Sequence, residues 1–149
     1  MASTIFVPAS PGVQYIRKTA DETVNNSTTV QNDNDLKITV AASEIWAIYL
    51  FILHNSSAVA DFKIGFSDPG GGATLRWAAV SGSTPVALNA IASTENIAGA
   101  GADRKVDYAG VYVGGTAAGT LNFQWAQQTA EVSDTKVLAN SYILAFKLA

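Results

Sequence analysis

The sequence predicts an all-β protein: an antiparallel two-sheet β-sandwich, jelly-roll-like, with a short N-terminal arm. Three observations carry this. Apolar and polar residues alternate with period two over most of the chain, as in DFKIGFS and TLNFQWAQ. Turn-forming clusters such as SDPGGGAT separate the alternating runs. No stretch offers a capped amphipathic helix. Residues 1–12 form the arm and residues 13–149 a single sandwich domain.

The elements follow in order. Strands are expected near residues 13–19, 28–31, 36–40, 44–54, 60–67, 73–80, 105–113, 119–127 and 134–147, the last with a break at Ala139–Asn140. In DFKIGFS, Phe62, Ile64 and Phe66 share a face against Lys63, Gly65 and Ser67. Leu121, Phe123 and Trp125 do the same in TLNFQWAQ. SYILAFKL sets Tyr142, Leu144 and Phe146 against Ile143, Ala145 and Lys147. The triple glycine at Gly70–Gly72 follows Asp-Pro, so it turns the chain. A phosphate loop would need Lys-Ser/Thr and a helix after it, and here Ala73-Thr74-Leu75 leads into a strand.

Composition narrows the function classes. Apolar residues make up 48% of the 149, yet charged residues only 14%, against about 25% in an ordinary soluble domain. A subunit whose flanks are covered by partners tolerates that deficit. The net charge of −3 and the dispersed basic residues provide no nucleic-acid stripe. There is no cysteine, hence no disulfide and no thiolate chemistry. The start MASTIFVPASPGVQ lacks a basic region and long apolar core, and the longest apolar run, Ile45–Leu53, is half a bilayer span. The expectation is a soluble, cytoplasmically made protein with no membrane partner.

Candidates for chemistry are sparse. The single histidine, His54, closes the apolar run and reads as a strand-end side chain at a sandwich corner, since no neighbouring pattern marks a triad. QNDNDL, with Asp33 and Asp35, resembles the start of a calcium loop, but the sixth position, where the loop needs glycine for its sharp turn, holds Ile38; a turn closed by Asx side chains is the simpler account. The expectation is therefore no catalytic residues, no cofactor and no metal. Trp46, Trp77 and Trp125 lie within strands and read as core; Tyr108 and Tyr112 share a strand face that could serve sugar stacking or packing.

The strand around Ile45–Leu53 is apolar on both faces: Trp46, Ile48, Leu50 and Ile52 on one, Tyr49, Phe51 and Leu53 on the other. In a two-sheet domain only one face meets the core, so something covers the second: residues 81–103 or another subunit. That long, weakly charged segment carries Val86, Leu88, Ile91 and Ile97, and the arm carries Ile5, Phe6 and Val7. These ten residues are the candidate interface.

The stretch from IRKTADETVNNSTTVQNDNDL through the apolar strand to ADFKIGFSDPGG, with LNFQWAQ and VLANSYILAFKL downstream, resembles tailed-bacteriophage virion structural proteins over about residues 16–147. That group includes head-decoration and tail-associated β-sandwich proteins. The resemblance implies a non-enzymatic virion component made in the host cytoplasm. Its leading form is a capsid decoration (cement) protein that stabilises the shell as a homotrimer, with the major capsid protein as partner. The alternative is a trimeric tail-fibre or tail-tip module that binds a host-surface glycan.

Overall fold

The structure, a computed structural model, describes residues 12–80 and 88–149. The described residues form twelve strands and no helix: β1 (Val13–Arg17), β2 (Glu22–Val24), β3 (Gln31–Val40), β4 (Ile45–Ser56), β5 (Phe62–Ser67), β6 (Thr74–Ala79), β7 (Asn89–Ala90), β8 (Glu95–Ile97), β9 (Ala102–Val113), β10 (Gly119–Gln127), β11 (Thr135–Val137) and β12 (Tyr142–Lys147). All pairings are antiparallel. One sheet runs β1-β12-β4-β9-β6-β7, with β11 joining β4 to β2; the other runs β3-β10-β5-β8.

Without the accessory strands β2, β6, β7 and β11, eight strands remain. Their order is first-eighth-third-sixth in one sheet and second-seventh-fourth-fifth in the other. This is the interleaved strand order of a jelly roll, two Greek keys folded into facing sheets.

Alternation decides which side chains enter the sandwich. The even residues of β4 from Trp46 to Ile52 meet Phe62, Ile64 and Phe66 of β5 and Phe123 and Trp125 of β10 in one core. Aromatic edges lock it: Phe66 meets Trp77 at 5.1 Å and Trp77 meets Tyr108 at 5.3 Å, both edge-on. Each indole nitrogen is satisfied, by Glu44, Ala90 O and Asp33 for Trp46, Trp77 and Trp125 respectively. Along the sheet seam the Gln14 amide accepts from Thr39 N–H and donates to Thr39 O, occupying part of the free β3 edge.

Several expected boundaries move. Residues 28–30 are not strand; β3 instead begins at Gln31 and takes in the acidic QNDND, with a register shift against β10 between Asn122 and Gln124. The short β2 was not foreseen. Residues 81–103 are not one long loop: β7 and β8 lie within them, pairing with β6 and β5 at the far edges of the two sheets. The chain breaks between β11 and β12 with Asn140 at φ 72°. In the glycine turn Gly70, Gly71 and Gly72 all have φ between 72° and 83°, the left-handed region that glycine enters without steric cost. A Cβ on Gly71 would come within 2.6 Å of Ala117 N. The three glycines let this turn lie against the β9–β10 connection, where Thr116 N–H donates to Gly71 O.

Candidate functional site

The outer faces of the two sheets differ in chemistry. On the β3-β10-β5-β8 sheet the outward side chains are amides, hydroxyls and lysines. Asn122 donates to Ser67, which donates to Asn32, and Gln124 donates to the same Asn32 oxygen. Such a face is at home in water.

The outer face of the other sheet is apolar. Cross-strand register sets three rows on it. Val13, Phe146, Ala47, Val111 and Arg76 align in the first; Tyr15, Leu144, Tyr49, Ala109 and Ala78 in the second; Arg17, Tyr142, Phe51 and Asp107 in the third. Tyr15 is 61% exposed, Val13 54%, and Phe146 and Val111 each 42%, so the face is open to solvent in the single chain. Five strands spaced ~4.8 Å apart and averaging about eight residues give it a projected area of roughly 600 Å². The face includes Arg17, Arg76, Lys105 and Asp107, so its apolar part is smaller than this and falls within the range of about 300–600 Å² for the largest patch on a typical monomer.

Sequence reasoning found Tyr49, Phe51 and Leu53 here, and all three are half-buried. It missed Tyr15, Tyr142, Phe146 and Val111. The alternation in SYILAFKL was legible, but the bulkier phase faces outward and the smaller phase, Ile143 and Ala145, enters the core. Of the other candidates, Ile91 and Ile97 pack against the chain's own core, and Leu88 is exposed near β7. Ile5, Phe6, Val7 and Val86 lie outside the described residues. In the described part of the 81–103 segment β7 and β8 pair at the sheet edges, and Ala100 to Asp103 run alongside the end of β4 as its in-sheet neighbour.

The aromatic rings on this face use one another's surfaces. Phe51 and Tyr142 stack at 5.3 Å and 15°, Tyr15 leans on Tyr142 at 5.9 Å, and the Lys105 ammonium lies 5.7 Å from the Phe51 ring centroid. Beside Phe51, Asp107 pairs through Oδ2 with Lys105, while its Oδ1 is buried without a hydrogen-bond partner. The Tyr49 phenol is pushed up by burial and by the Asp107 carboxylate.

The remaining titratable groups are internal. Lys18 is buried at the end of β1, with Nζ 2.6 Å from Glu22, 3.0 Å from both Asp33 oxygens and 3.8 Å from Asp35. Burial works against its charge, but the Glu22 and Asp33 carboxylates outweigh that and raise its pKa. The acidic QNDND is thus part of a strand, with the single Lys18 cation set against Glu22, Asp33 and Asp35; the expected Asx closure is made by Asp33 Oδ1, but within β3 and not in a turn between two strands. Asp33 also accepts from Asp35 N–H, Leu36 N–H and the Trp125 indole. Among the described residues no cluster of three or more His, Asp or Glu side chains has metal-site geometry.

His54 does not cap a corner. It lies within β4 on the core phase, 1% exposed, stacked on Phe62 at 4.6 Å and 11°. Neither ring nitrogen has a hydrogen-bond partner, and burial together with the nearby Arg104 pushes its pKa down to about 4. The tryptophans are core side chains, and Tyr108 and Tyr112 are buried beside them, which removes both tyrosines as a sugar platform.

No family model and no curated protein matches the chain. Among solved structures, it is similar to a chain in the structure of the infectious bursal disease virus Gt strain, at 12% identity and a TM-score of 0.33. The match covers 93% of this chain and 38% of that one. The architecture stated above rests on strand order and register.

Proposed function

We propose that the chain is a non-enzymatic structural subunit of a virion, in its finer form a capsid decoration protein that binds the shell as a homotrimer. One observation carries this: a jelly roll with one hydrated amide-rich face and one open aromatic face is built to lie against protein on one side only. Large apolar faces on soluble domains mark such contacts. Binding of this kind stabilises an assembled shell by mass action, because only the assembled state offers the site. The resemblance of the IRKTADETV…ADFKIGFSDPGG stretch to tailed-phage virion proteins agrees with it. The fold itself decides little, since jelly rolls host capsid proteins, lectins and cupins alike.

The absence of catalysis is part of the proposal. His54 is buried and unpaired, and Asp33 is engaged by Lys18 and backbone donors; neither is placed to act on a substrate. The glycan-binding alternative is supported less well, because Tyr142 is stacked on Phe51 and only Tyr15, tilted at 48° to Tyr142, is left as an exposed tyrosine ring.

Antibody labelling of phage particles purified from a lysate in which this chain is made, viewed by negative stain, tests the proposal. Label over the head is the expected result. Label confined to the tail tip would favour the glycan-binding module, and particles lacking the chain altogether would remove the virion reading.

A further inference from the structure

We propose that Lys18 and Asp33 join in a self-formed isopeptide bond, with Glu22 as the proton carrier. Lys18 Nζ lies 3.0 Å from both Asp33 carboxyl oxygens and 2.6 Å from Glu22 Oε2. Equal distances to the two oxygens put Nζ in the plane that bisects the carboxyl group, the plane that contains Cγ. Lys18 and Asp33 are each 1% exposed, so little water competes with the amine. The other ion pairs sit in water: the side chains of Lys105, Lys136 and Lys147 are 59%, 37% and 37% exposed.

The two Asp33 oxygens have different surroundings, as an acyl centre requires. Oδ1 accepts from Asp35 N–H at 3.0 Å and Leu36 N–H at 2.9 Å, two fixed backbone donors that stabilise an oxyanion. Oδ2 accepts from the Trp125 indole N–H at 3.1 Å and from Lys18, and it is the oxygen that leaves. Glu22 is itself held in place, by Asn34 N–H on Oε2 and the Gln31 amide on Oε1. A bare ion pair needs no such division of donors.

Burial opposes the Lys18 charge and the carboxylates restore it, so the resting cluster is ionic. The reacting form is its neutral tautomer, in which Nζ has passed one proton to Asp33 Oδ2. The amine then attacks Cγ, and Glu22 Oε2 takes a second Nζ proton. Glu22 returns that proton to the Oδ2 hydroxyl, which leaves as water. One C–N bond forms, one C–O bond breaks, and Glu22 ends as it began. A minor tautomer suffices because each molecule reacts only once, with both groups held at an effective concentration of roughly 10⁵ M or more.

The bond closes residues 18–33 into a ring and ties the end of β1, in the larger sheet, to β3 in the smaller. It restrains the unfolded chain as a disulfide does, in a sequence that has no cysteine. This goes beyond the virion reading and does not depend on it.

Intact-mass spectrometry of the full-length chain after prolonged incubation at neutral pH tests this, with tryptic mapping to place the change. The wild type should weigh one water less than its sequence, N-terminal processing allowed for. Trypsin should no longer cut after Lys18, and the peptides carrying Lys18 and Asp33 should emerge joined. Lys18→Arg keeps the cation and should show its full sequence mass. Glu22→Gln, verified as folded by circular dichroism, should convert at least about a hundredfold more slowly. A folded wild type at full sequence mass would overturn the inference, as would a water loss that persists in Lys18→Arg. Conversion of Glu22→Gln at the wild-type rate would strike Glu22 from the reaction.

Discussion

Acidification should selectively weaken this fold through His54. In the folded chain its pKa falls to about 4 from an ordinary 6.5, because burial against Phe62 disfavours the charged ring and Arg104 repels it. The folded state therefore binds this proton less readily than the unfolded chain. The stability tied to the neutral ring is fully present above pH 6.5 and is lost as pH falls from there through 4. A gap of about 2.5 pKa units at 1.36 kcal/mol each gives a full loss of roughly 3 kcal/mol, of which about 2 kcal/mol should be gone by pH 5. With a side chain 1% exposed, solvent screening trims this little. Urea unfolding of the wild type and of His54→Phe at pH 7, 6 and 5 isolates the effect, because titrating carboxylates act on both proteins alike. The wild type should lose about 2 kcal/mol more than the variant between pH 7 and 5. Parallel losses would show that the ring is hydrogen-bonded or hydrated in solution and that the reasoning from its unpaired nitrogens fails. Arg104→Gln removes the repulsion, so the His54 titration should move upward by NMR and the loss on acidification should shrink.

Three further outcomes follow from the same physics. Lys18→Met removes the cation from the Asp33–Glu22 cluster and leaves Asp33 buried with uncompensated charge, so chemical denaturation should show a loss of roughly 3–5 kcal/mol; a loss under about 1 kcal/mol would mean the carboxylate is solvated. Gly71→Ala should lower the melting temperature more than Gly70→Ala, because both sit at positive φ but only Gly71 would drive a Cβ onto the Ala117 and Thr116 backbone; equal effects would show that the two turns are not in contact. Deleting residues 1–11 should leave the thermal melt within a few degrees, since the described residues form a continuous core among themselves, while occupancy on virions should drop; an unfolded deletion product would place the arm in the core.

The sequence by itself determined the class of fold and most of its strands. Period-two alternation is a local property, set by whether successive Cβ atoms point to opposite faces, so Phe62-Ile64-Phe66 and Leu121-Phe123-Trp125 could be paired with a core before any partner strand was known. The two-faced β4 could be read the same way, and with it the need for a cover over Tyr49, Phe51 and Leu53. Turn chemistry at Asp68-Pro69-Gly70 was equally local. What tertiary structure decided were the matters that depend on neighbours distant in the chain. Which phase of Tyr142–Lys147 faces inward depends on β12 lying between β1 and β4, where the space inside admits Ile143 and Ala145 and sends the bulkier Tyr142 and Phe146 outward. Asp33 read as an Asx side chain closing a turn, and only the fold brings Lys18, fifteen positions earlier, against its carboxylate. His54 looked like a strand end because its polar neighbours Asn55 and Ser56 suggested water, yet β4 continues past it and Phe62 covers its ring. Polarity along a strand reports the average surroundings of a position; burial of a charge or a ring nitrogen depends on a single partner, and only the folded chain specifies that partner.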